Sequence, residues 1–219
     1  MEADTETETE KPVDQLSPKE FQRAYEKWCG EGTHYDWWDS IYEMKTSEGE
    51  ERGFDIRDIR FSGFWSQGDG ACLTGYIHLD EVLKWADKQE TNPFTPHQMN
   101  LLRAATENNT VYNPVKVQSE GRYCHQYTTE LQHGIETYAG DTPMRLGFFE
   151  GILESVFMEE YFEPHREEIE KVVLGLARDY AGEIYKALEE EYEYLTSEEY
   201  FREQAEANDW KFDEEGEIV

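Results

Sequence analysis

The chain is predicted to be α+β: an antiparallel sheet of about four strands, built as two hairpins, with helices on one face and one long acidic C-terminal helix. Three observations carry this. Residues 54–78 hold two alternating runs on either side of a glycine-rich turn. Helix-start signals at Ser17-Pro18-Lys19-Glu20 and Thr95-Pro96-His97-Gln98 punctuate the rest. Apolar residues then recur at helical spacing from Ile169 to Leu195. Period-two alternation marks half-buried strands, and a period near 3.6 marks helices packed on one side. Hairpins and helices in separate runs place the chain in the α+β class.

Taken in order, residues 1–15 alternate Glu2, Asp4, Glu6, Glu8 and Glu10 with other polar residues and read as an acidic mobile tail. Residues 16–219 read as a single domain. Ser17, Pro18 and Glu20 form a capping box for a helix to Cys29, with Phe21, Tyr25 and Trp28 on one side and Gly30 as a stop. A second helix from Tyr35 to Glu48 ends softly, since Gly49 and Gly53 are both plausible stops. In the first hairpin Ile59, Phe61, Gly63 and Trp65 share one side, and Ala71, Leu73, Gly75 and Ile77 share one side of the return run. Helices follow over Leu79–Lys88 and from Thr95 to Asn108. A second hairpin is expected from Val111–Gln118 and Arg122–Leu131, turning at Gly121. After a loop at 134–143, Met144–Phe162 is helical by pattern, and Pro164 allows a fresh start for His165–Leu195. There the apolar positions repeat every ~3.7 residues, too long a period for a left-handed coiled coil. Thr196-Ser197 caps a last short helix, and residues 210–219 suggest a small terminal hairpin.

Composition narrows the function classes. At 219 residues the chain is long enough to bury a substantial core. The aromatic load of 14% separates it from disordered acidic chains. No apolar run approaches the ~18 residues that span a bilayer. The start Met1-Glu2-Ala3-Asp4 lacks the basic and apolar regions of a signal peptide, and three scattered cysteines suit a reducing compartment, so the cytoplasm is expected. The formal net charge of -30 repels nucleic-acid backbones and anionic lipid and attracts basic surfaces. The expected partner is therefore a basic protein that itself handles nucleic acid, with no direct nucleic-acid or membrane binding. Residues 159–219 carry 21 Asp and Glu against 6 Lys and Arg.

Phe54-Asp55-Ile56 followed by Phe61-Ser62-Gly63-Phe64-Trp65-Ser66-Gln67-Gly68-Asp69-Gly70-Ala71 resembles a family of small tailed-bacteriophage and prophage proteins. Gly121-Arg122-Tyr123-Cys124-His125 is similar to that family's second hairpin, and Glu191–Ser197 with Asn208–Phe212 to its C-terminal segment. The resemblance implies a phage-encoded protein working in the bacterial host cytoplasm. It carries over no functional residues, but raises the expectation of an inhibitor or neutralising partner.

The candidate chemistry divides three ways. Glu160, Glu163, Glu167 and Glu170 repeat at i, i+3/i+4, placing neighbouring carboxylates ~5–6 Å apart at their Cβ atoms, and Glu189, Glu190, Glu191 and Glu193 extend the acid along the same helix. Such a row can occupy the Arg and Lys side chains that hold phosphates, whereas an ordinary solvated face, with Lys171 and Lys186 pairing to Glu167 and Glu183, has the same pattern. The leading reading is a non-enzymatic inhibitor of a defence nuclease, such as restriction or CRISPR machinery, by nucleic-acid mimicry. A second reading puts the contact on the aromatic β-surface around Phe64, Trp65 and Tyr76, as in an antitoxin-like neutraliser. Tyr123, His125 and Tyr127 share a face that suits a core cap or a contact patch. A third is a hydrolase or nucleotide-modifying enzyme using Ser66, Asp69, His78 and His125. Against it, the glycine turn is neither a P-loop nor a dinucleotide fingerprint, and Asp69 can simply bond its own turn. Cys72, Cys124, His78 and His125 have no metal-ligand spacing, so neither metal nor cofactor is expected.

Overall fold

The computed structural model describes residues 10–31, 36–107, 111, 113–119, 121–135 and 148–219, of which 31, 107 and 148–164 are described by backbone alone. The elements are β1 (Lys11–Pro12), α1 (Pro18–Glu31), α2 (Asp39–Glu51), β2 (Phe54–Phe61), β3 (Ala71–Ile77), α3 (Leu79–Ala86), α4 (Pro96–Glu107), β4 (Val115–Ser119), β5 (Thr129–Leu131), α5 (Phe148–Leu195), α6 (Glu198–Ala207) and β6 (Lys211–Phe212). The α+β class, the four-stranded antiparallel sheet and the long C-terminal helix are as expected. The single domain expected over 16–219 divides into two compact units, Met1–Asp39 with Ala187–Val219, and Ser40–Lys186. Both junctions fall at or inside helices, so no Pro- or Gly-rich linker marks them.

In the terminal unit, α1 starts on the capping box. The Ser17 amide donates to Glu20 Oε2 at 2.7 Å and the Glu20 amide donates to Ser17 Oγ at 3.4 Å. Two of the backbone donors at the helix start are thereby satisfied, and Pro18 has no N–H to leave unpaired. α6 is capped by Ser197, whose Oγ accepts from the Tyr200 amide at 3.1 Å. Its buried Phe201 meets the ring of Phe21 edge-on at 5.5 Å, Trp28 at 5.4 Å and Phe212 at 5.8 Å. The expected terminal hairpin forms, with Phe212 bridging Ile218. It also gains a partner the sequence does not show, because β1 pairs with β6 in antiparallel register. The boundary at residue 15 therefore moves. Val13 is buried beside Phe21, and Lys11 Nζ lies 2.6 Å from Glu20 Oε1. One apolar side chain and one ion pair order the chain from Lys11 onward, while residues 1–9 of the expected tail lie outside the described residues.

The central unit is organised on the sheet β2-β3-β4-β5, antiparallel throughout. Phe54, Ile59, Leu73, Ile77, Val115, Val117 and Leu131 are its large buried apolar residues, and Ala71, Cys72, Ser119 and Thr129 are buried with them. β2 shifts register between Ile56 and Asp58, so one alternation pattern cannot hold along its whole length. α2 stops at Gly53, which has φ 88° and donates its amide to the Glu50 carbonyl. Gly49 is instead buried inside the helix, where a Cβ would stand 2.8 Å from Ile56 Cδ1; its role is close packing. α4 carries the expected capping box, Thr95 amide to Gln98 Oε1 at 2.8 Å and Gln98 amide to Thr95 Oγ1 at 3.3 Å.

Two expectations are corrected here. The return strand expected over Arg122–Leu131 shrinks to β5, because residues 126–128 form a 3-10 turn capped by His125. Local bonds from His125 and Thr128 side chains compete with the sheet ladder and win. The break expected at Pro164 does not occur, and α5 runs unbroken across it. Proline has a helical φ and forfeits one N–H donor, which a long helix can absorb. The loop expected at 134–143 lies, past Ile135, outside the described residues, as does 144–147. The buried stripe of α5 is Ile169, Val173, Ala177, Tyr180, Ala181, Ile184, Leu188 and Leu195. Leu176 and Tyr192, which fall on the same helical spacing, are half-buried, and Ala177 and Ala181 take inner positions.

Lys11 and Ser17 hold the Glu20 carboxyl down at about 2, against an ordinary 4.5. The carboxylate thus contributes stability that is complete above pH 4.5 and is lost as pH falls toward about 2. Glu20→Gln should remove the part of the acid transition in that window that this group causes. Circular-dichroism melts of both proteins at stepped pH check this, and parallel losses in the two would refute it.

Candidate functional site

Strand β2 ends at Phe61 and β3 begins at Ala71, so Trp65 lies beyond the strand on which alternation places it. The connection 62–70 is closed at its base by the Ser62 amide donating to the Gly70 carbonyl at 3.1 Å. An inner turn sits at its tip. There the Asp69 amide donates to the Ser66 carbonyl at 3.1 Å, and Asp69 Oδ2 accepts from the Ser66 amide at 2.7 Å. Asp69 is thus a turn former, as its residue type allows. Phe64 is half-buried, with its ring 5.6 Å from Phe61 and 5.5 Å from Tyr185 of α5. Trp65 has its ring 5.7 Å from that of Phe64. Its φ is 65°, a left-handed conformation rare for a bulky side chain, and its ring is 66% exposed.

A second stretch, 121–128, lies alongside. Ser62 Oγ donates to the Cys124 carbonyl at 3.0 Å. A Cβ at Gly70 would stand 2.9 Å from both Cα and Cδ2 of His125, so only glycine permits this approach. His125 Nδ1 accepts from the Tyr127 amide at 3.2 Å, and the two rings stack at 5.0 Å. Arg178 of α5 holds the far side: its guanidinium lies 5.8 Å from the Tyr127 ring and donates to the Tyr127 and Thr129 carbonyls. Tyr123 and Tyr127 are 68% and 63% exposed. Among the described residues of this unit, four large apolar side chains are exposed, and three of them are Trp65, Tyr123 and Tyr127. Met44 is the fourth. Aromatic side chains are enriched at protein contact surfaces, and these three are exposed on adjoining, internally bonded loops.

The remaining sequence candidates disperse. Glu160 and Glu163 lie on α5 with side chains outside the described residues. Glu167 is exposed, whereas Glu170 is half-buried with its carboxylate against Gly134. Glu190 and Glu193 are exposed but belong to the other unit. Glu183 pairs with Arg52 at 2.8 Å rather than being held for Lys186 alone. His78 is the N-cap of α3, and His125 caps the 3-10 turn; neither is a strand residue. Tyr76 is half-buried on β3. Cys72 and Cys124 do converge as buried neighbours, and burial first, then the adjacent Cys72, pushes the Cys124 thiol up. Ser66 and Asp69 bond to each other. Among the described residues no cluster of His, Cys, Asp and Glu is arranged to hold a metal, and no helix is long and apolar enough to cross a membrane. The sequence lacked one signal in particular, that Gly70 is a packing glycine which lays the two loops together.

Residues 37–198 match a family model described as a domain of unknown function (DUF8835). No curated protein and no solved structure matches the chain.

Gly70→Ala should drive the loops apart at His125 and lower stability by roughly 1–3 kcal/mol in denaturant unfolding; an unchanged midpoint would contradict the close approach. Trp65→Gly relieves a left-handed φ and removes a largely exposed side chain whose ring touches Phe64, so the two effects should offset and the unfolding midpoint should move little. A clear loss of stability would mean that the Trp65 ring is structural.

Proposed function

The chain belongs to the DUF8835 family, and we propose that it works as a non-enzymatic inhibitor that grips a basic protein through the Trp65, Tyr123 and Tyr127 surface. One observation carries this reading: an exposed tryptophan held at positive φ beside two exposed tyrosines, on loops pinned to the sheet and to α5. Beyond its contact with Phe64, the Trp65 side chain stays largely exposed, and backbone outliers of this kind gather at binding sites. Aromatic anchors on a rigid support bind with little entropy loss and dominate interface energies. The net charge of -30 supports a basic partner and a fast, electrostatically steered encounter. The likeness of the 61–71 stretch to tailed-phage and prophage proteins supports a nucleic-acid-handling host factor in the bacterial cytoplasm, with a restriction or CRISPR nuclease as the target class. Against catalysis, the Asp69 carboxylate is taken up by the Ser66 backbone amide and the Tyr127 amide occupies His125 Nδ1, so no base is placed on the Ser66 hydroxyl.

Nucleic-acid mimicry by the acid of α5 is the second reading, favoured by the exposure of Glu167, Glu190 and Glu193. It loses its regular ladder at Glu170, whose carboxylate lies against Gly134. Capture from host lysate separates the two. The aromatic reading expects Trp65→Ala, Tyr123→Ala and Tyr127→Ala each to weaken the captured complex about tenfold or more. Glu167→Lys with Glu190→Lys should chiefly slow association. Capture that survives the aromatic changes and fails with the charge reversals would transfer the function to α5. Capture indifferent to salt from about 50 to 500 mM would remove the electrostatic part of the proposal.

A further inference from the structure

We infer that a second site, on a different face of α5 from the aromatic loops, takes a small organic cation: a guanidinium or primary ammonium on a short alkyl stem. The loops meet α5 at Arg178 and Tyr185, whereas Leu176, Asp179 and Glu183 line a cavity of about 210 Å³. At ~3.6 residues per turn these are separate faces. The inference does not rest on the Trp65 surface.

The cavity wall already holds one group of this kind. Arg52 donates to both carboxylate oxygens of Glu183, at 3.0 and 2.8 Å. Its guanidinium lies 5.5 Å from the Trp85 ring and 5.0 Å from the Tyr180 ring. Aromatic faces beside a carboxylate are the chemistry that holds ammonium and guanidinium groups. Arg52 and Glu183 neutralise each other, but Asp179 forms no ion pair with a described residue, which leaves one uncompensated negative charge on the lining. Phe94 and Leu176 add apolar surface for an alkyl stem. Space remains at Gly175, where a Cβ would meet nothing within 4 Å. An anion would face Asp179 and Glu183 together, and a neutral apolar molecule would gain nothing from either exposed carboxylate. A cation with a flat or short apolar body matches both the charge and the walls.

Nitrogen–proton NMR spectra of the full chain, titrated with n-butylguanidinium, n-butylammonium and n-butanol, test this. The Trp85 indole N–H and the Gly175 amide should shift saturably with both cations, and n-butanol should bind about tenfold more weakly. Asp179→Asn should weaken cation binding several-fold while leaving the Trp65 indole signal in place. Gly175→Leu, on an open helix face, should fold and block the site. Blocked arginine amide competing as well as n-butylguanidinium would support a protein side chain as occupant; binding of the free cation alone would support a small metabolite. Absence of saturable shifts, equal binding of n-butanol, or cation binding unchanged in both variants would overturn the inference.

Discussion

The phenol of Tyr180 joins three elements of the central unit. Its ring stacks on Phe54 of β2 at 4.9 Å, its hydroxyl donates to the Lys45 carbonyl in α2, and Arg52 lies over it at 5.0 Å. Gly49 lets α2 come this close, since a Cβ there would stand 3.3 Å from Tyr180 Cε1. Burial pushes the phenol well above its ordinary range, so it stays a neutral donor. An aromatic pair adds roughly 0.5–1.5 kcal/mol beyond its buried area, and a buried hydroxyl left without a partner costs about as much again. Tyr180 is therefore a residue of the buried stripe that ties α5 to both β2 and α2. With α5 tied there, Arg178 and Tyr185 lie under the loops and Asp179 and Glu183 along the cavity.

The loop edge depends on this arrangement. Phe64 reaches down to Tyr185 and Tyr127 is backed by Arg178, so both loops rest on α5 as well as on each other. The ring of the next residue, Trp65, lies 5.7 Å from that of Phe64, and the side chain stays largely exposed. Trp65 then takes a left-handed φ that a glycine would adopt more easily. The sequence keeps tryptophan at a position where folding alone would favour another residue. That conflict between local preference and residue choice is the kind expected at a working surface.

The acid has a quieter structural role than its amount suggests. On α5 the exposed Glu167, Asp179, Glu183, Glu190 and Glu193 alternate with a buried stripe, as on any amphipathic helix. Several charges are locally answered: Glu183 by Arg52, Glu48 by Lys45, and Glu168 by His97, whose hydrogen bond holds that carboxyl below its usual range. Exposed pairs of this kind are each worth little. What remains is a long-range field that disfavours anions near the surface and draws cations toward it.

Local chemistry was legible in the sequence by itself. Ser17, Thr95 and Ser197 started their helices because caps act within one turn, and the runs at 54–61 and 71–77 became strands because alternation is a property of consecutive residues. Net charge and aromatic load likewise need no fold. Only the tertiary structure decided the rest. It turned Gly49 and Gly70 from apparent stops and turns into packing contacts, carried α5 through Pro164, and paired Lys11–Pro12 with Lys211–Phe212. It also divided the acid row between two units and set Trp65, Tyr123 and Tyr127 on neighbouring loops. Each of these depends on residues far apart in the chain meeting at a few ångströms, and spacing along the chain holds no record of that distance.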